Sequence, residues 1–332
     1  MNKILILGLG GTIAGLAADP QKDPLNYAAG QVKVADLFKS LDTQVNCEFE
    51  YEQIANINSC DMTHELLSQL WEKVDLALDK KDISGIIITQ GTDTIEETGI
   101  FLHLCCAQKA IQHGKVVVLT GAMLPSNASN ADGPSNLALA IQAVNHHVPS
   151  LNLHIHGGII GTFAGKVIAA KNYSKRYSSK VDAPVAHSTE LTPENLSELS
   201  SELSLDCPRH DSWPWVEILT NHIGVKPAVL NFLLNSGVQG LVFAGTGQGN
   251  IHQNLVKALH QARQLGILMV RATRTGSGTI RPQVPMNDLQ IGTMPAGSLT
   301  SAQARIALQL LINSGKQDKS LDWNKIIATI ES

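Results

Sequence analysis

Short apolar runs that close on Gly or Thr alternate along the chain with segments whose apolar positions recur at helical spacing. Unbroken apolar runs mark strands covered on both faces, as in parallel sheets with helices above and below. Residues 3–7 predict a first strand. Residues 61–80 predict a helix with Leu66, Leu67, Leu70, Trp71, Val74 and Leu78 on its apolar face and Asp61 or Thr63 as its cap. A strand over 86–89 follows, then a helix after Thr94 with Glu96 and Glu97 in its first turn, a strand over 115–119 and a helix over 134–144 led by Pro134. Between 191 and 215 the pattern dissolves into Ser, Glu, Pro and Asp and ends in Trp213-Pro214-Trp215, which predicts a linker. The alternation then resumes with strands over 216–219, 240–243 and 267–270 and helices over 227–234, 252–265 and 301–312. The expectation is an α/β chain: a larger N-terminal domain (1–190) with a parallel-rich sheet flanked by helices, a linker (191–215), and a smaller C-terminal α/β domain (216–332).

Composition sharpens this picture. A chain of 332 residues suits two cores at about 100–200 residues each. Charged residues make up 16% of it, against roughly 25% in an average soluble domain. That deficit fits strands buried on both faces and a surface partly lost to an oligomer. The net charge of −4 offers no basic footprint for a phosphate backbone, which disfavours nucleic acid as the main partner. The longest apolar runs fall far short of the roughly 20 residues that span a bilayer, so no membrane partner is expected. The N-terminal Lys3 and its apolar stretch run straight into a glycine turn, which predicts a buried strand rather than a signal peptide. Five cysteines without C-x-x-C spacing point to neither a disulfide framework nor a zinc site, and hence to a reduced, cytoplasmic compartment. Cys105 and Cys106 read as core. His154 and His156 alternate on a strand but have no third ligand at motif spacing, so no metal is expected and a structural or surface role is assigned to them.

Candidate chemistry gathers at strand ends. Gly8-Leu9-Gly10-Gly11-Thr12-Ile13-Ala14-Gly15 puts bare backbone at the end of the first strand, where open α/β sheets bind ligands. A dinucleotide fingerprint fails because Ile13 stands where its third glycine belongs, and a P-loop fails because no Gly-Lys-Ser/Thr follows. A tight turn and an accessible nucleophilic Thr12 both remain open. Thr89-Gln90-Gly91-Thr92-Asp93-Thr94 ends a second strand and reads either as a helix cap or as a second contributor to the same sheet edge. Thr120-Gly121-Ala122-Met123, followed by Asn130-Ala131-Asp132-Gly133-Pro134, ends a third. Three strand ends rich in Gly and Thr and poor in Lys and Arg suit a small polar ligand rather than a polyphosphate.

These motifs, with Asn58-Ser59-Cys60-Asp61-Met62, Gln90-Gly91-Thr92-Asp93-Thr94-Ile95-Glu96-Glu97-Thr98, Gly245-Thr246-Gly247-Gln248-Gly249-Asn250 and Val270-Arg271-Ala272-Thr273-Arg274, resemble the bacterial-type L-asparaginase and glutaminase-asparaginase family. The resemblance runs from residue 1 to about 144, weakens to about 215 and then returns. It implies a cofactor-free amidohydrolase that converts L-asparagine to L-aspartate and ammonia, with L-glutamine as a candidate second substrate. The residue matching Thr12 would be the nucleophile that forms an acyl-enzyme, and an alcohol needs activation for that task. The residue matching Tyr27 would help activate it from a lid spanning about 15–30, a stretch that otherwise reads as an ordinary surface loop. Thr92 and Asp93 would join a lysine in a triad. The family's spacing from its lysine to an Asp-Ala pair fits Lys175 with Asp182-Ala183, and Ser178 matches its usual hydroxyl residue three positions after the lysine, so the resemblance favours Lys175 over Lys171, which reads equally well as a solvated surface charge. Substrate contacts are implied for Ser59, Thr92, Asp93, Ala122 and Asn250, with Asn250 supplied by a neighbouring subunit of a homotetramer built from two intimate dimers.

The chain also departs from the family pattern. Leu9 replaces a common threonine, and Cys60 follows Ser59 where glutamine, serine or glutamate is common. A gapless alignment of 271–292 puts Pro285 where periplasmic members carry an assisting glutamate. Those two latter departures motivate a rival from another class, a catalytically silent amino-acid-binding or regulatory protein on the same fold. Small, partly buried cysteines are usually inert, which is the plain reading of Cys60. The amidase subunit of an archaeal-type glutamyl-tRNA amidotransferase shares these motifs but normally carries an extra N-terminal region, and a first strand starting at residue 3 argues against it.

Overall fold

The computed structural model describes residues 3–39, 41, 48–181, 190–276, 278–315, 318 and 320–331. The chain forms two compact units, 1–204 and 205–332, so the division falls inside the segment 191–215. Leu191 and Leu199 from that segment are buried in the core of the first unit.

In the first unit, strands β1 (Lys3–Gly10), β2 (Glu48–Ile57), β3 (Ile83–Thr89), β4 (Val116–Thr120), β5 (Gly158–Phe163) and β6 (Lys166–Ala169) form one sheet in the order β6-β5-β4-β3-β1-β2. All neighbours are parallel except the edge pair β5 and β6. Ile4, Ile6, Ile87, Val116, Val118 and Ile160 face one way and pack against helices α1 (Val34–Lys39) and α4 (Gly133–Val144). The alternate residues face the other way, where α2 (His64–Asp79) and α3 (Ile95–Gln112) lie against the sheet. Coverage on both faces explains why β1, β3 and β4 read as unbroken apolar runs. Burying each such Ile, Leu or Val contributes about 1.5–3 kcal/mol.

The helices start where their polar residues can cap them. Thr63, not Asp61, caps α2 by accepting from the Leu66 amide at 3.2 Å. At the other end of α2, the buried Lys115 ammonium donates to the carbonyls of Ala77, Leu78 and Lys80 at 3.1, 2.7 and 2.6 Å, a cation on the negative end of the helix. Cys105 and Cys106 are buried in α3. So is His103, whose ring nitrogens have no hydrogen-bond partner among the described residues. Burial, with the Lys171 charge adding to it, pushes its pKa down to about 3.

His103 is therefore neutral when folded and must charge when unfolded in acid. Its folded pKa lies below its unfolded value, so the associated stability is present above about pH 6.5 and is lost on acidification toward pH 3. By linkage, moving from about pH 7.5 to about pH 5 costs on the order of 2 kcal/mol at this residue. His103→Leu is expected to remove that share of the acid sensitivity in urea titrations at the two pH values. An unchanged difference between them would refute the assignment.

The second unit repeats the architecture on a smaller scale. Strands β7 (Val216–Thr220), β8 (Gly240–Gly245), β9 (Leu268–Thr273) and β10 (Thr293–Pro295) form a parallel sheet in sequence order. Helices α5 (Ala228–Asn235), α6 (Val256–Gln264), the single turn α7 (Asp288–Ile291), α8 (Ser301–Ser314) and α9 (Trp323–Glu331) accompany it. A capping box opens α8, with Thr300 accepting from the Gln303 amide at 3.1 Å and the Gln303 side chain accepting from the Thr300 amide at 3.0 Å. The segment expected to be helical from His252 instead makes a 3₁₀ turn over Gln253–Leu255 before α6, because His252 caps that turn through its own ring nitrogen.

Candidate active site

The strand order of the first sheet reverses between β1 and β3: the chain leaves β1 for β2 on one side and comes back to β3 on the other. Such a switch point opens a crevice at the carboxyl ends of the strands. The loops after β1, β2 and β3 meet in this crevice with almost no side-chain volume between them. Gly11, at φ 80°, lies so close to Gly91 that a Cβ would fall on the Gly91 backbone. A Cβ on Gly91 would in turn come within 2.6 Å of Ser59 Oγ. Glycine at these two positions is a requirement of close approach, and it lets three loops present hydroxyls to one place.

Thr12 opens a 3₁₀ turn, Thr12–Ala14, and is buried. Its Oγ1 shares a 2.6 Å hydrogen bond with Tyr27 Oη. Tyr27 belongs to a two-residue hairpin in which Leu16–Ala17 pairs with Tyr27–Ala28, so the stretch read as an open loop contains regular pairing. The hairpin is also tied across the fold. Asn127 exchanges two hydrogen bonds with the Ala17 backbone, at 2.9 and 2.8 Å, and Ser126 donates to Gly15 O through both its amide and its hydroxyl.

Ser59 is buried in the turn after β2. Its Oγ accepts from the Asp93 amide at 3.1 Å, and its carbonyl accepts from Thr94 Oγ1 at 2.8 Å, which docks the β2 and β3 loops on each other. Asp93 Oδ1 accepts from Lys175 Nζ at 2.6 Å. The buried Thr92 hydroxyl donates to Met123 Sδ at 3.6 Å rather than engaging Lys175. Ala122 is buried beside this loop. Asp132 holds the Ala122 segment in shape by accepting from the amides of Met123 and Leu124, and Asn136 donates to Gly121 O at 2.9 Å.

Lys171 occupies the turn Ala170–Asn172 and is buried rather than a solvated surface charge. Burial lowers the pKa of its amine, and the Glu198 charge opposes that shift. Asp182 and Ala183, which entered the spacing argument, lie outside the described residues. Cys60 is exposed, not partly buried, since the turn directs Ser59 inward and its neighbour outward. His154 stacks on His147 with ring centroids 4.4 Å apart. Among the described residues, no three His, Cys, Asp or Glu side chains gather where they could hold a metal ion. No helix among them is long and apolar enough to cross a membrane.

In the second unit, Asn250 closes a turn with Thr246: the Asn250 amide donates to Thr246 O at 2.8 Å and the Thr246 amide to Asn250 O at 3.2 Å. Sequence reasoning assigned no role to Ser126, Asn127 or Asn136, and Met123 entered it only as part of the strand-end motif Thr120-Gly121-Ala122-Met123. Asp132 stood within a quoted motif, and its Asp-Gly-Pro setting signals a helix start. The Ser126 and Asn127 contacts reach back more than a hundred residues and leave no local signal.

Chemically, the crevice offers one hydroxyl hydrogen-bonded to a phenol, a second buried hydroxyl, and a carboxylate paired with an ammonium. These are the elements of acyl transfer by an oxygen nucleophile.

Residues 3–200 match the family model described as Asparaginase, N-terminal, and residues 215–322 match the Glutaminase/Asparaginase C-terminal domain. The chain is 32% identical to the probable periplasmic L-asparaginase of Haemophilus influenzae, with 96% of this chain and 91% of that one covered. It is 29% identical to L-asparaginase 2 of Escherichia coli (97% and 92% covered) and 28% identical to the glutaminase-asparaginase of Acinetobacter glutaminasificans (97% and 99%). The crystal structure of the probable cytoplasmic L-asparaginase from Campylobacter jejuni superposes with a TM-score of 0.82 at 30% identity, covering 100% of this chain and 99% of that one. With both domain models matched in order and relatives aligned over almost their full length, the chain belongs to the asparaginase family.

Proposed function

We propose that the protein hydrolyses the side-chain amide of L-asparagine, with Thr12 as nucleophile. The observation that carries this reading is the 2.6 Å hydrogen bond between Thr12 and Tyr27 hydroxyls at the switch point, with the Lys175–Asp93 pair in the adjoining loop. Thr12 Oγ1 attacks the amide carbon as its proton passes toward Tyr27. The C–N bond breaks with a proton delivered to nitrogen, so that ammonia leaves, and water then cleaves the acyl-enzyme to aspartate and free Thr12. Thr92, Asp93 and Lys175 form the supporting triad, which requires the Thr92 hydroxyl to turn from Met123 toward the lysine. Ser59, Thr92, Asp93 and Ala122 contact the substrate, and Asp93 faces its α-ammonium group.

The catalytic residues lie on 1–190, 191–215 connects, and 216–332 supplies Asn250 to a neighbouring subunit of a homotetramer. A cytoplasmic location is supported by the free cysteines at 60, 105, 106 and 207 and by the likeness to the Campylobacter jejuni protein. L-Glutamine is the second substrate.

Purified protein should release ammonia from asparagine and, more slowly, from glutamine. Absence of turnover together with a raised Tm on adding asparagine would establish the silent binding-protein reading instead. Tyr27→Phe removes only the hydroxyl and leaves the ring packed on Gly15, and it is expected to lower kcat about 10²-fold with little change in KM. Unchanged kcat would remove Tyr27 from the mechanism.

A further inference from the structure

The second unit contains a buried polar centre that the proposed chemistry does not use. Arg271, in the middle of β9, is fully buried. Its guanidinium has five N–H donors, and each of them meets an acceptor. Nε donates to Asp288 Oδ1 at 2.8 Å, and Nη2 donates to Asp288 Oδ2 at 2.7 Å and to Arg281 O at 2.9 Å. Nη1 donates to Gln248 O by a short hydrogen bond and to Val284 O at 3.4 Å. Asp288 also accepts from Thr293 Oγ1 at 2.6 Å and from the Gln283 amide at 2.8 Å. Burial disfavours its charge, but these donors prevail and hold its carboxyl below the usual carboxylate range.

The acceptors belong to two segments far apart in sequence. One is the turn 245–250, whose tip is Gln248. The other is the stretch 281–288. Gln248 joins them a second time through its side chain, which donates to Thr279 O at 3.1 Å and accepts from the Arg281 amide at 3.2 Å. The turn is packed against the arginine so closely that a Cβ on Gly249, at φ 74°, would lie 2.9 Å from Arg271 Cγ and from Ala272 O. Asn250 follows directly and is fixed by its two backbone bonds to Thr246.

We propose that Arg271 is a positioning residue for catalysis: by gripping the Gln248 carbonyl from a carboxylate-anchored guanidinium, it sets the turn that presents Asn250 to the neighbouring subunit's active site. The inference rests on the asparaginase reading and adds to it a buried residue that touches no substrate. Lysine cannot replace it, because three donors on a flexible stem cannot serve five acceptors arranged around a planar fork.

The test is a double-mutant cycle on the full-length protein. Misplacing a group by about 1 Å costs up to about 10²-fold in rate, so Arg271→Lys should lower kcat/KM for asparagine roughly tenfold to a hundredfold. In an Asn250→Ala background the same substitution should change it by less than about twofold, because its route to the chemistry is gone. A purely structural role would scale the active fraction equally in both backgrounds, and equal losses would overturn the proposal. Should Arg271→Lys fail to fold, Gly249→Ala pushes the turn and Arg271 apart without removing the guanidinium or its carboxylate, and the same comparison decides. If Asn250→Ala alone leaves turnover at the wild-type level, the placement of Asn250 falls and the proposal falls with it. The hydrolase reading is judged separately, by whether wild-type protein turns asparagine over and Thr12→Ala does not.

Discussion

Thr12→Ala is expected to lower ammonia release from asparagine by about 10⁴-fold or more, since general-base assistance alone is worth 10²–10⁴ and loss of the nucleophile removes what that assistance acts on. The fold should tolerate the change. Thr12 Oγ1 is hydrogen-bonded to Tyr27 Oη, so the substitution deletes one neutral hydrogen bond and a methyl-sized volume, at a cost of about 1 kcal/mol. Gly11 and Gly91, which bring the loops together, are untouched. A Tm close to wild type combined with abolished turnover is therefore the expected pair of results, read by calorimetry and by a coupled ammonia assay. Wild-type turnover in Thr12→Ala would discard the nucleophile assignment, whatever the family of the chain.

The largest effect on stability is expected from Asp288→Ala. It leaves the fully buried Arg271 guanidinium without its carboxylate, and an uncompensated buried charge costs about 3–5 kcal/mol. Thr293 Oγ1 and the Gln283 amide lose their acceptor in the same step. Against a total stability of about 5–15 kcal/mol for a domain, the second unit should melt roughly 10 °C lower or more. Tryptophan fluorescence reports on this unit through Trp323, whose Nε1 donates to Pro295 O at 2.7 Å. A melting temperature within about 2 °C of wild type would show that the pair is not a keystone of the unit.

Much of the architecture was legible because local rules and tertiary structure agree. The apolar runs of β1, β3 and β4 are those that helices cover on both faces, and α2 and α8 begin at residues that can cap them. β2 escaped because it is an edge strand: Glu48, Glu50 and Glu52 break its apolar character, and the partly exposed Lys3 and Lys73 pair with Glu50 and Glu52 at 3.7 and 2.7 Å. The hairpin around Tyr27 escaped because it is two residues wide and is held by Ser126 and Asn127, not by its own propensity. At the site, spacing made the types of group readable, while their pairing entered only through the family resemblance. Thr12 and Tyr27 are fifteen positions apart, and Asp93 and Lys175 eighty-two. The Gly-Thr pattern supplies hydroxyls at strand ends but holds no record of which loops meet.

The sequence by itself determined that parallel strands alternate with helices in two successive stretches, that their ends are bare Gly-Thr turns, and that these motifs in this order resemble the asparaginase family. Those are properties of local spacing, and spacing is written directly in the chain. Only the tertiary structure decided that Gly11, Gly91 and Ser59 meet at van der Waals range, that Lys171 is buried instead of lying on the surface, and that Arg271 ties the 245–250 turn to Asp288. Each of these depends on backbone approach and burial between segments distant in sequence, where close packing and the need of a buried charge for partners select the neighbour.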